Sequence, residues 1–241
     1  MTRLDEAMDR PLSGPAARPM RRRDALRIAG GAALGLLALA APSGRRSGRG
    51  VLGAGTAAAA TCTLAPEQTE GPYYVDDVLL RRNVTEGRRG TPLWLTLRVV
   101  DTATCAAIPG ATVEIWHADA NGDYSGYNGF EGEIFMRGQQ VAGAAGAATF
   151  RTIYPGWYPG RTVHIHCKVH VGGSTVHTGQ LYFDDALTDV VYAQEPYASR
   201  GTRSTRNAAD GIYGNGGAES TLAVVARGKG YWGSITLGVA S

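Results

Sequence analysis

The sequence predicts an all-β fold: an antiparallel β-sandwich with long functional loops and little helix. From residue 93 onward, short runs alternate between apolar and polar residues, as half-buried strands do. Turns rich in glycine, proline and aspartate separate these runs, and no long window has the 3.6-residue period of an amphipathic helix. The best short helix candidate covers residues 186–193. Strands are predicted at 93–99, 113–117, 147–153, 162–171, 176–183, 221–227 and 232–239.

The first 61 residues differ in composition from the rest of the chain. Arginine-rich residues 1–27 precede an apolar stretch at 28–41, which is shorter than the ~20 residues that a membrane-spanning helix needs. This order is typical of a signal peptide, and the run RRDAL at 22–26 is similar to a twin-arginine export signal. Small-residue patterns at 38–40 and at 58–60 leave the cleavage site open. We therefore expect an export segment at 1–61, a mature domain at 62–241, and a secreted protein without a stable membrane anchor.

Removing the export segment reverses the sign of the net charge. Residues 1–61 hold ten arginines and four acidic residues, a net charge of +6, whereas the whole chain carries +3. The mature domain therefore carries about −3 and has no basic patch of the kind that nucleic acids or anionic membranes attract. The sequence excludes nucleic acid as a partner.

The three cysteines agree with export to an oxidising compartment. Cys62 and Cys105 lie in polar, turn-like surroundings, whereas Cys167 lies on the apolar face of the predicted strand 162–171. We expect a disulfide between Cys62 and Cys105 that contributes roughly 3–4 kcal/mol, and a buried free thiol at Cys167.

The strand at 162–171 carries a His-x-His pair. His164 and His166 alternate with apolar residues, so both project from one face of the strand, about 6.5–7 Å apart. Two imidazoles in that arrangement can converge on one metal ion, although such a pair also occurs on ordinary wet sheet faces. His170 is roughly 13 Å from His166 at strand rise, too far to join them.

Two tyrosines in neighbouring loops are candidates for the same site. Tyr158 precedes His164 by six residues across a Pro-Gly turn, and Tyr124 follows the Asn-Gly turn after the strand at 113–117. A phenol has a pKa near 10, so it becomes a ligand only where a strongly Lewis-acidic ion removes its proton. Phenolate and imidazole together favour iron(III) over zinc or copper(I). Two alternatives remain open: ordinary loop tyrosines, and a zinc hydrolase that uses the two histidines alone.

Five segments follow one another in a recognisable order: TEGPYY at 69–74, VEIWHADANGDY at 113–124, FRTIYPGWYP at 150–159, RTVHIH at 161–166 and GQLYF at 179–183. Together they resemble the intradiol ring-cleavage dioxygenases, the family of protocatechuate 3,4-dioxygenase and catechol 1,2-dioxygenase. The resemblance covers roughly residues 62–190. Thr162 departs from the family pattern, which usually has proline there. By this resemblance, a non-haem Fe(III) is held by Tyr124, Tyr158, His164 and His166, with Tyr154 as the competing candidate for the place of Tyr158.

The resemblance also implies a reaction: cleavage of catechols by O₂ between the two hydroxyl-bearing carbons, which gives cis,cis-muconates. It implies that Tyr158 accepts a proton, that Arg161 stabilises negative charge on the substrate, and that Gln180 helps to hold the substrate. The substrate slot is expected to be lined by Gly71, Pro72 and Tyr73. The alternative is a non-catalytic, transthyretin-like module that binds iron or catecholates. A homodimer is the default expectation for the assembly, with no residue pattern behind it.

Overall fold

The computed structural model describes residues 62–76 and 79–241. The predicted export segment at 1–61 lies outside the described residues. No helix in the described part of the chain is both long and apolar enough to cross a membrane. In chain order the elements are β1 (Pro92–Asp101), β2 (Thr112–Trp116), β3 (Arg137–Val141), β4 (Ala147–Ile153), β5 (His164–Val171), β6 (Ser174–Tyr182), α1 (Asp185–Tyr192), the 3₁₀ turns Ala198–Arg200 and Asn207–Ala209, β7 (Ala223–Arg227) and β8 (Gly230–Val239).

The strands form two four-stranded sheets, which confirms the predicted β-sandwich. One sheet has the order β4-β1-β8-β7 and the other β3-β2-β5-β6. Apolar residues on alternate positions of the strands meet in one buried core. Leu93, Leu95 and Leu97 enter it from β1, and Ile165 and Cys167 enter it from β5. Strand alternation therefore gives each sheet one face toward this core.

Three details differ from the sequence-based expectation. Strand β3 lies between the predicted strands 113–117 and 147–153, where no strand was expected. Strands β1 and β8 pair in parallel, although the other paired strands run antiparallel. Helix α1 begins one residue earlier than predicted. The carboxylate of Asp184, the residue before the helix, accepts hydrogen bonds from the backbone amides of Ala186 and Leu187. That capping is what a helix start at this point needs.

The segment at 62–76 covers the outer face of the β2-β5-β6 region. The amide of Gln68 donates to the carbonyl of Thr178 at 2.9 Å, and its side chain accepts a hydrogen bond from Tyr182 at 3.0 Å. His166 lies against Gly71 of this segment, and both His164 and His166 are buried although they point away from the core. The outer face of β5, which would otherwise be exposed to solvent, is therefore part of a closed site.

A disulfide joins the start of this covering segment to the turn after β1. Cys62 and Cys105 are bonded, with Cα atoms 5.4 Å apart. Cys167 is a free, fully buried thiol, and burial raises its pKa to about 12. It packs in the core as a small apolar side chain.

Candidate metal centre

Four aromatic side chains close a ring on the outer face of β5. His164 and His166 belong to the strand itself, Tyr158 to the turn before it, and Tyr124 to the loop that follows β2. Neighbouring ring centroids are 4.6 Å apart for the two histidines, 5.7 Å for Tyr158 and His164, 5.7 Å for the two tyrosines, and 6.2 Å for Tyr124 and His166. The structure therefore brings together all four residues that the sequence analysis selected.

The polar atoms of Tyr158, His164 and His166 point at one another. The Nε2 atoms of His164 and His166 are 3.1 Å apart, and the Tyr158 hydroxyl lies 3.2 Å from His164 Nε2. His164 Nδ1 donates to the carbonyl of Thr162 at 2.7 Å, which leaves an unprotonated Nε2 facing the group in the neutral ring. A backbone carbonyl on the far nitrogen is the usual way in which a protein orients a metal-binding histidine.

Burial keeps all four groups neutral. It lowers the pKa of His164 to about 3 and that of His166 well below its ordinary value, and for His166 the adjacent His164 acts in the same direction. Burial likewise raises the pKa of the Tyr158 phenol, and it raises that of Tyr124 well above its usual value. Neutral imidazoles are the form that binds metals.

The Tyr124 hydroxyl is the strongest indication that this site binds a ligand. It is buried without a hydrogen-bond partner, and the same holds for His166 Nδ1. An unsatisfied buried hydroxyl costs about 1–3 kcal/mol, so proteins rarely keep one without a reason. A cation that takes up the phenolate oxygen would satisfy it. The donor set of two phenols and two imidazoles suits iron(III).

The tyrosines are essential to this interpretation. Across residues 62–76 and 79–241, no three side chains among histidine, cysteine, aspartate and glutamate cluster closely enough to hold a metal ion. A zinc site built on the two histidines would lack the further ligands that zinc sites contain.

Two other residues of the recognised segments, Tyr154 and His117, lie outside this group. Tyr154, the competitor of Tyr158, is fully buried in the core, and its hydroxyl hydrogen-bonds that of Thr188 at 2.8 Å. His117 is buried between the carbonyl of Ala118 and the hydroxyl of Thr152, each 2.7 Å away, and burial lowers its pKa to about 4. Tyr154 and His117 therefore have structural roles.

The three residues expected to line the slot differ in their placement. Tyr73 stacks on Tyr124 with ring centroids 4.3 Å apart and meets Tyr158 edge-on at 6.0 Å. Gly71 lies against His166: a Cβ atom there would be 3.2 Å from His166 Cε1, and its φ of +75° also favours glycine. Pro72 is exposed. Tyr73 and Gly71 thus form one wall beside the four donors.

Arg161 and Gln180 meet beside the metal ligands. Arg161 lies in the turn that precedes β5, and its Nη2 donates to Gln180 Oε1. Gln180 is buried on β6, directly opposite His166, and its amide donates to the carbonyl of Thr69 at 2.9 Å. A fixed guanidinium next to the four donors can stabilise negative charge on a bound molecule.

Two contacts of the site were missed by the sequence analysis. Trp116 stacks flat on His166, with centroids 4.9 Å apart and planes 5° from parallel. It ends β2 and pairs with His166, so strand alternation could have found it once the register was known. Asp210 binds Arg161 from 49 residues away, and no local pattern marks it.

Comparison with known proteins agrees with this geometry. The Dioxygenase_C family model, described as dioxygenase, matches residues 69–201. An intradiol ring-cleavage dioxygenase from Tetranychus urticae is 35% identical, with a TM-score of 0.72 over 74% of this chain and 95% of that one. The dioxygenase domain of a dioxygenase carbohydrate-binding protein fusion from Streptomyces sp. SirexAA-E is 32% identical, with a TM-score of 0.59 over 74% of this chain and 99% of that one.

The curated relatives are more distant. The chlorocatechol 1,2-dioxygenase of Cupriavidus pinatubonensis is 28% identical over an alignment of 145 residues that covers 50% of this chain and 56% of the relative. The chain thus spans about half the length of the curated relatives it matches. The family model covers more than half of the chain, and the Tetranychus structure is matched almost throughout. The chain belongs to the intradiol ring-cleavage dioxygenase family.

Proposed function

We propose that this protein is a secreted, non-haem Fe(III) enzyme that cleaves catechols between their two hydroxyl-bearing carbons with O₂, giving cis,cis-muconates. The observation that carries the proposal is the closed group of Tyr124, Tyr158, His164 and His166, with the Tyr124 hydroxyl buried and unpartnered. Chlorocatechol and catechol 1,2-dioxygenases among the relatives support catechols as the substrate class. Both atoms of O₂ enter the product.

The metal and the protein have separable tasks. When bound by these four residues, iron(III) supplies a Lewis acid for the two catechol oxygens. Tyr158 is only partly buried, unlike Tyr124, so its phenolate oxygen is placed to accept a proton from the incoming substrate. Tyr73 offers a flat ring against which an aromatic substrate can stack.

Arg161 and Gln180 complete the site on the other side. The guanidinium is oriented before substrate arrives, because it is bound by Asp210 and Gln180. Negative charge that develops on the ring during attack by O₂ therefore meets a preorganised cation in a water-poor site. Gln180 is fixed by Thr69 and Tyr182, which leaves it well placed to orient the substrate.

Visible spectroscopy of the purified mature protein tests this proposal. We expect a red-brown colour from tyrosinate-to-iron charge transfer, a shift on anaerobic addition of catechol, and recovery with muconate formation once O₂ is admitted. A colour that shifts with catechol but leads to no O₂ uptake would mean a binding module without turnover. A protein that stays colourless after iron is supplied would rule out Tyr124 and Tyr158 as ligands.

Secretion is part of the proposal and has its own test. Arg22 and Arg23 precede the apolar stretch 28–41 in the order of a twin-arginine signal. Replacing both by lysine should keep the protein inside a bacterial host that exports the wild type. Sequencing the exported protein should place its N-terminus between residues 39 and 62. Equal export of both forms would contradict the signal assignment.

A further inference from the structure

Asp210 is a buried carboxylate whose oxygens are fully engaged. It follows the 3₁₀ turn Asn207–Ala209, in the loop between α1 and β7. Its Oδ2 accepts hydrogen bonds from Arg161 Nε at 2.9 Å and from the amide of Thr162 at 2.8 Å. Its Oδ1 accepts from the amides of Ile212 and Tyr213, at 2.8 and 3.1 Å. Oδ1 therefore fixes the carboxylate in its own loop, while Oδ2 binds the turn before β5.

The contact with Asp210 Oδ2 sets the direction of the Arg161 side chain. The Nε atom is bound by Asp210, and Nη2 reaches Gln180 on the opposite side. A guanidinium has a planar fork of donors, so binding at two of its nitrogens fixes its plane as well as its position. Without Asp210 the guanidinium would keep one anchor and could rotate about it.

The same loop also holds the peptide that orients a metal ligand. Thr162 donates its amide to Asp210, and its hydroxyl donates to the side chain of Asn207 at 2.6 Å. Its carbonyl accepts the hydrogen bond from His164 Nδ1. Asn207 is itself anchored, because its amide nitrogen donates to the carbonyl of Phe183 at 2.8 Å. A proline at position 162 could make neither of the two donor contacts, since it lacks both an N–H and a hydroxyl.

We propose that Asp210 is a positioning residue for the reaction, with Asn207 as its second anchor on Thr162. Asp210 aims the Arg161 guanidinium at the substrate and fixes the Thr162 carbonyl that orients His164. The proposal rests on the proposed function, since it assigns Arg161 a substrate to act on. It gives the loop between α1 and β7, which carries no candidate metal ligand, a role in positioning the residues of the active site.

A double-mutant cycle in the iron-loaded enzyme tests the link between Asp210 and Arg161. Asp210→Asn should lower kcat by about 10–100-fold, the usual cost of losing an outer-shell partner, with a smaller effect on KM. The tyrosinate-to-iron absorption should stay. Asp210→Asn added to Arg161→Gln should cost clearly less than the product of the two single losses, because the part of the Asp210 effect that acts through Arg161 is already gone. Costs that add would overturn the proposal.

Asp189→Asn is the matched control. Asp189 is also an arginine-paired carboxylate, bound by Arg203 and Arg206 at 2.8 Å, but it is half exposed and does not contact the site. It should keep the activity of the wild type. If Asp210→Asn fails to fold, Arg161→Lys takes its place, because lysine keeps the charge but loses the Nε donor to Asp210. Full kcat in Arg161→Lys would overturn the proposal.

Hydrogen exchange in the metal-free protein provides a measurement that does not depend on turnover. The Thr162 amide should exchange faster in Asp210→Asn than in the wild type or in Asp189→Asn. Unchanged exchange at the Thr162 amide would overturn the proposal that Asp210 holds Thr162, even if activity fell. If the wild type had no dioxygenase activity, the proposed function would fail, whereas the exchange result would still decide whether Asp210 holds Thr162.

Discussion

Among single residues, Tyr124 occupies a position that costs stability in the metal-free protein. Its hydroxyl is buried and unpartnered, although the nearby Tyr127 hydroxyl donates to the carbonyl of Tyr74 at 2.6 Å. Both rings belong to the same aromatic cluster around Tyr73. A residue that breaks a local rule of good packing is a marker of a functional site.

Tyr124→Phe should therefore change stability and activity in opposite directions. The metal-free variant should be more stable than the wild type by about 1 kcal/mol, because it no longer buries an unsatisfied hydroxyl. The iron-loaded variant should lose at least about 100-fold in kcat/KM, which corresponds to about 2.7 kcal/mol of transition-state stabilisation. Chemical denaturation and steady-state kinetics measure the two effects.

Tyr127→Phe is the matched control for that substitution. It removes a satisfied hydroxyl from the same cluster, so it should lose about 1 kcal/mol of stability and keep its activity. A Tyr124→Phe protein that binds iron and turns over normally would remove Tyr124 from the ligand set.

Glu114 should make stability depend on pH. Burial raises its pKa to about 7 from an ordinary 4.5, against the opposing effect of Lys168. Between these two values the unfolded chain loses its proton while the folded protein keeps it, so stability falls as pH rises through this window. Each pKa unit is worth about 1.4 kcal/mol, and partial exposure reduces the sum, so we expect a loss of about 2 kcal/mol.

Glu114→Gln isolates this effect. The difference in unfolding free energy between the variant and the wild type should be constant below pH 4.5. It should move by about 2 kcal/mol in favour of the variant by pH 7, because only the wild type carries a group that titrates there. Urea denaturation at several pH values measures it. A difference that does not change with pH would mean that Glu114 titrates normally.

At the scale of secondary-structure elements, strands with a clear apolar alternation were predictable and β3 was not. Leu93, Leu95 and Leu97 mark β1 at a glance. Strand β3 reads RGQQV, and its buried positions are Arg137 and Gly138, which do not form an apolar stripe. Gly138 is needed because a Cβ there would lie 2.6 Å from Val84. Such a strand is defined by its neighbours, which only the folded chain supplies.

The covering segment at 62–76 depends on its disulfide. Cys62 and Cys105 are separated by 43 residues, so the bond removes much freedom from the unfolded chain. Replacing both cysteines by serine should lower the free energy of unfolding by about 3–4 kcal/mol. A reducing agent should destabilise the wild type to the level of the variant and leave the variant unchanged. Equal stability of the oxidised wild type and the variant would contradict this expectation.

At the scale of the whole molecule, the site is assembled from distant parts of the chain. The ligand candidates were predictable because Tyr158, His164 and His166 lie within nine residues of one another, in local patterns. The Arg161–Asp210 contact was not, because it joins segments 49 residues apart through a loop without regular structure. Sequence patterns report local geometry well, whereas contacts between loops depend on the packing of both sheets.

Iron should stabilise the whole domain, since the unfolded chain cannot present the four donors together. A ligand that binds the folded state at about 100 times its dissociation constant adds about 2.7 kcal/mol, which for a domain of this size raises Tm by about 5–10 °C. The metal-free protein should melt lower by that amount and recover when iron(III) is restored. Tyr127→Phe should respond like the wild type, and Tyr124→Phe should respond much less. If Tm were the same with and without iron, the four donors would not be the place where iron binds.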